Sequence, residues 1–373
     1  MCDRTYEMKH FGTLNMTKMK QSAQKAVIIL GMHRSGTSAL TKVVRLLGVD
    51  LGKNFLPPDS ANPSGYWEHL DIYDAHEHML NRLGRVWHSL FPFPDEWWLD
   101  PIIAPYRERL MDVLRTDFSR SGLWGFKDPR ICRLMPLWHS IFSEVGCEPH
   151  FVFVIRNPVE VAESLRRRDG HSWDKCFMLW LLHALDSERE CRRYPRVFVT
   201  YDQILSDWKA VIARISGELR LEWPIGASTI EEEVSSFLNP GLRHHQSSTS
   251  HAAEDSTLSR LAGKMYQALL DAADGREDLS PEVISGIEAG FEPETAYLTK
   301  PLLLEELKSL SARLSEAQGW VWPLIRENAL LRGKEEQLEE QLAHMLQSRS
   351  WQITAPLRRV HELISGQGKT GES

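Results

Sequence analysis

A short apolar run, Ala26 to Leu30, passes directly into Gly31-Met32-His33-Arg34-Ser35-Gly36-Thr37-Ser38. Ala39, Leu40, Val43, Val44 and Leu47 then recur at helical spacing up to Gly48. Buried strand, glycine turn and helix in this order make half of a βαβ unit, which points to a parallel sheet. The plan repeats. Phe151-Val152-Phe153-Val154-Ile155 leads into Arg156-Asn157-Pro158 and the helical pattern Val161, Ala162, Leu165, and Arg196 to Tyr201 precedes a helix starting near Asp202. Strands alternating with helices predict a three-layer, P-loop-like α/β fold with a mostly parallel central sheet and ligands at the carboxyl ends of its strands. A chain of 373 residues, 42% of them hydrophobic, has room for one such domain and an extension.

The rest of the chain is organised around that unit. Residues 1–24 are polar and irregular and are expected to form a flexible N-terminus. The domain is expected over 25–272, with a helical and looped insertion at 54–124. There, several prolines and Trp67, Trp87, Trp97, Trp98 and Trp124 replace any clear strand period. Residues 273–300 read as a linker, because Asp274, Gly275, Ser280 and Pro281 break the helical pattern. Leu303, Leu307, Leu310 and Leu314 are heptad-like, and Leu331, Leu338, Leu342 and Met345 resume the spacing after Pro323, so 301–347 is expected to be an interrupted coiled coil. A polar, basic and aromatic tail fills 348–373.

The glycine spacing is that of a Walker A loop, whose backbone N–H groups cradle phosphate at a helix N-terminus. The Walker lysine is missing: Thr37 stands in its place and the cation moves forward to Arg34. This disfavours a nucleoside triphosphate kinase or ATPase. A turn that merely joined strand to helix would leave an arginine, two serines and a threonine within six residues unexplained.

His33-Arg34-Ser35-Gly36-Thr37-Ser38 resembles the 5'-phosphosulfate loop of sulfotransferases, in the arginine form found in tyrosylprotein and many bacterial members. Arg156 to Ser164 is similar to the family's 3'-phosphate segment, where an arginine closing a strand and a serine eight residues on share one phosphate. The resemblance covers about residues 25–270. It implies 3'-phosphoadenosine 5'-phosphosulfate as sulfuryl donor, 3',5'-bisphosphoadenosine as product, and no metal. The donor-binding residues it implies are Arg34, Ser35, Gly36, Thr37, Ser38, Arg156 and Ser164. Pro240-Gly241-Leu242-Arg243-His244 resembles a further basic segment and adds Arg243.

In-line sulfuryl transfer needs a base for the acceptor and charge stabilisation for the leaving phosphate. Gly65-Tyr66-Trp67-Glu68 resembles the segment in which arginine-loop members carry a catalytic glutamate. Glu68 beside two aromatic residues is therefore the expected base, with His69 as its rival. Trp124 to Arg130 looks like the family's lysine-bearing strand end, so Lys127 is expected to stabilise the bridging oxygen or the sulfuryl group, with Asp128 orienting Lys127 or Arg130. His69, His76 and His78 lack metal-ligand spacing.

A net charge of −7 argues against nucleic acid as a partner. Cys2, Cys132, Cys147, Cys176 and Cys191 are odd in number and show no C-x-x-C pair, which suits a reducing compartment. With neither a leader nor a membrane span evident, a cytoplasmic protein is expected. The segment Ser350-Trp351 through Pro356-Leu357-Arg358 resembles the C-terminal ends of bacterial glycosyltransferases for surface polysaccharide. It implies a carbohydrate hydroxyl, or an amine, as acceptor, and docking with polysaccharide-assembly enzymes or the inner membrane face; the heptads are equally compatible with oligomerisation. Two other classes stay open: a kinase-like nucleotide enzyme, and a non-catalytic coiled-coil scaffold with a degenerate donor site.

Overall fold

The structure is a computed structural model. It describes residues 24–238 and 256–291, apart from 60, 61, 63, 64, 91, 277 and 278, together with scattered positions between 304 and 338. In chain order the elements are β1 (Lys25–Leu30), α1 (Thr37–Leu46), α2 (Leu70–Arg82), α3 (Ala104–Val113), β2 (Leu123–Lys127), α4 (Ile131–Val145), β3 (Glu148–Ile155) and α5 (Pro158–Asp169). They continue with α6 (Trp173–Cys191), β4 (Arg196–Thr200), α7 (Tyr201–Ser206), α8 (Trp208–Leu219), α9 (Glu231–Phe237), α10 (Thr257–Ala273) and α11 (281–291).

The four strands form one all-parallel sheet in the order β2-β1-β3-β4. Their side chains alternate between two unlike faces, as a two-residue period requires. Ala26, Ile28, Leu30, Trp124, Phe126, Phe151, Phe153 and Ile155 point to the larger, aromatic core, where α4, α5, α6 and α10 cover them. Val27, Ile29, Val152, Val154, Val197 and Val199 point to the other, where α1 and α8 pack with Leu40, Val43, Ile212 and Ile215. With both faces covered, the strands read as continuous apolar runs, which is why they are visible in the sequence. Each fully buried Phe or Ile contributes about 1.5–3 kcal/mol.

The chain leaves β1 for β2 on one side and returns past it to β3 on the other. The crevice between the carboxyl ends of β1 and β3 is therefore the topological switch point, where open parallel sheets bind ligands. Gly31 follows β1 and Arg156 follows β3.

Three expectations change. Trp124 belongs to β2, not to the insertion; it is 1% exposed and stacks on Phe118. The presumed linker contains α11, whose Ile284 and Ile287 are buried in the aromatic core, so the core continues well past residue 272. The apolar run of β3 extends back to Glu148, with Pro149 placed before β4 pairing begins at Phe151, so its missing N–H is not needed on that side. The chain divides into two compact units, 1–303 and 304–373. In the second, the described residues are helical, and Leu304, Leu307, Leu314 and Leu338 are exposed. The expected N-terminal segment before Gln24 and the tail 348–373 lie outside the described residues. Among the described residues no helix is long and apolar enough to cross a membrane.

Candidate active site

The glycine turn is held in a shape that side chains resist. Gly36 has φ +87°, and Arg34, a non-glycine residue, has φ +69°. Such a conformation costs an ordinary residue about 1–3 kcal/mol and persists where the surroundings enforce it, often at binding sites. A Cβ on Gly36 would sit 2.1 Å from Tyr201 Cδ2. Gly36→Ala therefore adds overpacking to strain and is expected to lower stability by roughly 2–4 kcal/mol. Gly84→Ala is its control, because a Cβ there meets nothing within 4 Å at a similar φ of +66°; it is expected to cost about 1 kcal/mol. Urea denaturation of both variants measures the contrast, and equal losses would contradict the close approach of Tyr201.

Helix α1 begins without a side-chain cap and without an acid in its first turn. Its first amides are thus left for an anion. The other predicted donor-binding residues gather around it. Arg34 Nε donates to Ser164 Oγ at 2.8 Å, and Arg156 Nη1 donates to the Arg34 carbonyl at 3.1 Å. Glu160, one helical turn into α5, accepts from Arg156 Nε at 2.8 Å, and the Arg156 guanidinium lies 4.8 Å from the Tyr201 ring. Burial first, then the charges of Arg168 and Arg156, hold the Arg34 pKa below its usual value. Like charges crowded in this way favour a bound polyanion. Ser35 and Thr37 are buried in the turn, and Ser38 Oγ donates to the Tyr66 carbonyl at 3.1 Å, tying the loop to the segment that carries Glu68. Arg243 lies outside the described residues.

Gly65 and Trp67 both have positive φ, +89° and +58°, and turn this segment over before α2. Leu56 N–H donates to the Glu68 carbonyl and Leu70 N–H to the Asn54 carbonyl, both at 2.8 Å, fixing the backbone on either side of His69. The two rival bases then point apart. Glu68, 4% exposed, accepts from Lys127 Nζ at 2.6 Å, with Arg130 Nη1 at 3.6 Å. His69 instead places Nε2 2.8 Å from Asp117 Oδ2, against Phe118 and beneath Gly52. Burial raises the Glu68 carboxyl above its usual value, and Lys127 opposes this without cancelling it.

Asp128 orients Arg130: its Oδ1 accepts from Arg130 N at 2.9 Å and Nη1 at 2.8 Å, while Glu77 accepts from Arg130 Nε. Burial would push the Asp128 carboxyl up, but Arg130 and His76 outweigh it and hold it far below the carboxylate range. Trp138 Nε1 can only donate, so its 3.0 Å bond to His76 Nε2 fixes His76 as the Nδ1–H tautomer donating to Asp128 Oδ2 at 2.8 Å. His78 donates to the Asp74 carbonyl. The three histidines of this region thus serve three separate partners. Among the described residues no group of three or more His, Cys, Asp or Glu side chains is placed to hold a metal ion.

Tyr201, Glu160 and Arg168 are the site residues that carried no role in the sequence. Glu160 meets Arg156 from the first turn of α5, and because Arg156 lies before that helix no helical spacing announces the pair. Nothing local marks Tyr201, whose role depends on β4 lying beside β3.

No protein-family model and no curated protein sequence matches the chain. Among solved structures it is similar to the sulfotransferase domain from the Synechococcus PCC 7002 olefin synthase, at 15% identity and a TM-score of 0.37, covering 72% of this chain and 94% of that one. It is also similar to the sulfotransferase domain from the curacin biosynthetic pathway, at 15% identity and a TM-score of 0.34, covering 71% and 96%. The fold and site together define a parallel α/β protein with an arginine-lined crevice at its switch point and a buried carboxylate–lysine pair, Glu68 and Lys127, brought together from distant segments.

Proposed function

We propose that this protein transfers a sulfuryl group from 3'-phosphoadenosine 5'-phosphosulfate to a hydroxyl acceptor of the carbohydrate class. One observation carries the reading: Arg34 of the glycine turn is hydrogen-bonded to Ser164, and Arg156 to Arg34, so two segments more than a hundred residues apart converge on one crevice. Two guanidiniums and a hydroxyl beside an uncapped helix N-terminus suit a nucleotide phosphorylated at both ends. The loop has no lysine for a triphosphate.

In this reaction the acceptor oxygen forms a bond to sulfur while the bond from sulfur to the bridging oxygen breaks. The electron pair leaves on the 5'-phosphate of 3',5'-bisphosphoadenosine. Glu68 takes the acceptor proton, and Lys127 meets the charge growing on the bridging oxygen. Their mutual 2.6 Å contact gives each a resting partner. As Lys127 turns toward the leaving oxygen, Glu68 is released to act as base. Trp67, Trp87 and Trp98 are half-buried and offer flat apolar faces for sugar rings, and the C-terminal motif supports a surface-polysaccharide acceptor and an assembly partner. Location in the cytoplasm, with docking at the inner membrane face, belongs to the same reading.

Calorimetric titration tests it. 3',5'-Bisphosphoadenosine is expected to bind one per chain, and ATP with magnesium to bind much more weakly and without turnover. Binding of ATP with none of bisphosphoadenosine would overturn the proposal in favour of a kinase-like enzyme.

A further inference from the structure

Two cations of different kinds meet Glu68, one on each carboxylate oxygen. Lys127 Nζ donates to Oε1 at 2.6 Å from the end of a flexible stem on β2. Arg130 Nη1 stands 3.6 Å from Oε2. The arginine is much less free to move. Asp128 Oδ1 accepts from its Nη1 at 2.8 Å, Glu77 accepts from its Nε, and the Tyr73 ring lies 4.4 Å from its guanidinium carbon. Tyr73 and Glu77 come from α2, and Asp128 from the turn between β2 and α4.

Asp128 is held in turn. His76 Nδ1–H donates to its Oδ2 at 2.8 Å, and Trp138 Nε1–H donates to His76 Nε2 at 3.0 Å. Indole can only donate, so Nε2 is kept as the acceptor and the imidazole cannot turn over. Trp138, His76, Asp128 and Arg130 are all buried, and they link α4 through α2 to the Glu68 carboxylate. A chain that only pinned α2 to α4 would end at Asp128. Instead the Nη1 that Asp128 holds is also the one facing Glu68 Oε2. Were Lys127 the sole cation on Glu68, its departure would leave a buried carboxylate unpaired, which protein interiors tolerate poorly.

We propose that Arg130 is the positioning residue for Glu68, keeping the carboxylate in place when Lys127 turns away, and that Trp138, His76 and Asp128 hold Arg130 to that task. Naming Glu68 the base, and giving Lys127 a reason to leave it, rests on the sulfuryl-transfer reading; the hold of Arg130 on Glu68 does not.

The test needs no acceptor. The full chain, isotopically labelled at its glutamate carboxyl carbons, is titrated with pH by NMR, and the Glu68 resonance is the one missing from Glu68→Gln. The charged and titratable groups around it are Lys127 from β2, Asp128 and Arg130 from the following turn, and Glu77 and Tyr73 of α2 beside Arg130. A neighbouring cation favours the ionised carboxylate, so removing one raises the midpoint. Arg130→Gln is expected to raise the proton affinity of Glu68 about tenfold, and by more in a Lys127→Met background, where Arg130 is the cation that remains. His76→Phe, which touches Asp128 and not Glu68, is expected to raise it about threefold as Arg130 slackens. A change below about twofold for Arg130→Gln in both backgrounds would overturn the proposal, and equal increments in the two would overturn the takeover from Lys127. Lost stability in His76→Phe with an unmoved Glu68 midpoint would reduce the Trp138–His76–Asp128 chain to a structural anchor. If Arg130→Gln does not fold, Arg130→Lys keeps the charge but cannot span Asp128 and Glu68 together. It is expected to raise the affinity about threefold, and an unmoved midpoint there counts equally against the proposal. Should 3',5'-bisphosphoadenosine fail to bind, the donor reading falls, while an Arg130-dependent midpoint still upholds the hold on Glu68. Binding of bisphosphoadenosine beside a Glu68 indifferent to Arg130 overturns this proposal alone.

Discussion

Arg156→Ala is expected to weaken 3',5'-bisphosphoadenosine binding by about 10²–10³-fold, since truncating one partner of a buried charge pair costs roughly 2–5 kcal/mol. Two effects add. The guanidinium fork is lost, and Glu160, 6% exposed and paired with Arg156 at 2.8 Å, is left as an unbalanced acid facing the phosphate. Arg156→Ala combined with Glu160→Gln removes the second effect, so the double variant is expected to recover part of the loss, about tenfold. Arg156→Lys keeps the charge but not the fork, and is expected to fall between alanine and wild type. Arg34→Ala belongs to the same class, with the added loss of its bond to Ser164. Calorimetric titration of the five proteins decides the matter. A loss below about threefold in Arg156→Ala, where the pair energies above demand far more, would remove Arg156 from the site.

The parts legible in the sequence are those in which local pattern and tertiary role coincide. Strands buried on both faces must be apolar throughout, so β1, β3 and β4 announce themselves, and the residues just beyond them fall at the binding edge of the sheet by topology alone. The convergence of Arg34 with Ser164 was expected from two separated motifs, and their 2.8 Å contact joins them. Other features depend on neighbours that no window of sequence contains. Trp124 sits in a strand whose run is broken by Gly125, where a Cβ would come within 2.3 Å of the Val27 carbonyl. Lys175 follows Asp174 in the first turn of α6 and looks like a solvated helix lysine, yet it is buried. Helix α11 follows Gly275 and starts on Pro281, which mark an interruption but not the end of the core. Glu68 and His69 are adjacent, and only the turn made by Gly65 and Trp67, with the backbone bonds to Asn54 and Leu56, decides which of them meets Lys127.

That division of labour sets the largest catalytic effect. Glu68→Gln preserves shape and can still accept a hydrogen bond from Lys127, but it cannot take a proton. kcat for sulfate transfer from labelled donor is expected to fall about 10²–10⁴-fold, with bisphosphoadenosine affinity little changed. The pH dependence follows from the sign of the shift. Burial raises the Glu68 carboxyl, with Lys127 and Arg130 pulling the other way, and the net displacement is upward. A base acts only when deprotonated, so the wild-type rate falls as pH drops through this raised value, and its acid limb lies above the ordinary glutamate range. Glu68→Gln has no such limb. Lys127→Ala removes the main cation opposing the burial effect, so its acid limb moves to still higher pH while kcat also drops, a pairing that simple misfolding does not produce. His69→Asn removes the contact to Asp117 and the packing on Phe118, away from Lys127, and is expected to lower stability with kcat and the acid limb retained. If transfer were instead unchanged in Glu68→Gln and lost in His69→Asn, the base would be His69, and the segment would have to turn by one residue to bring its ring to Lys127.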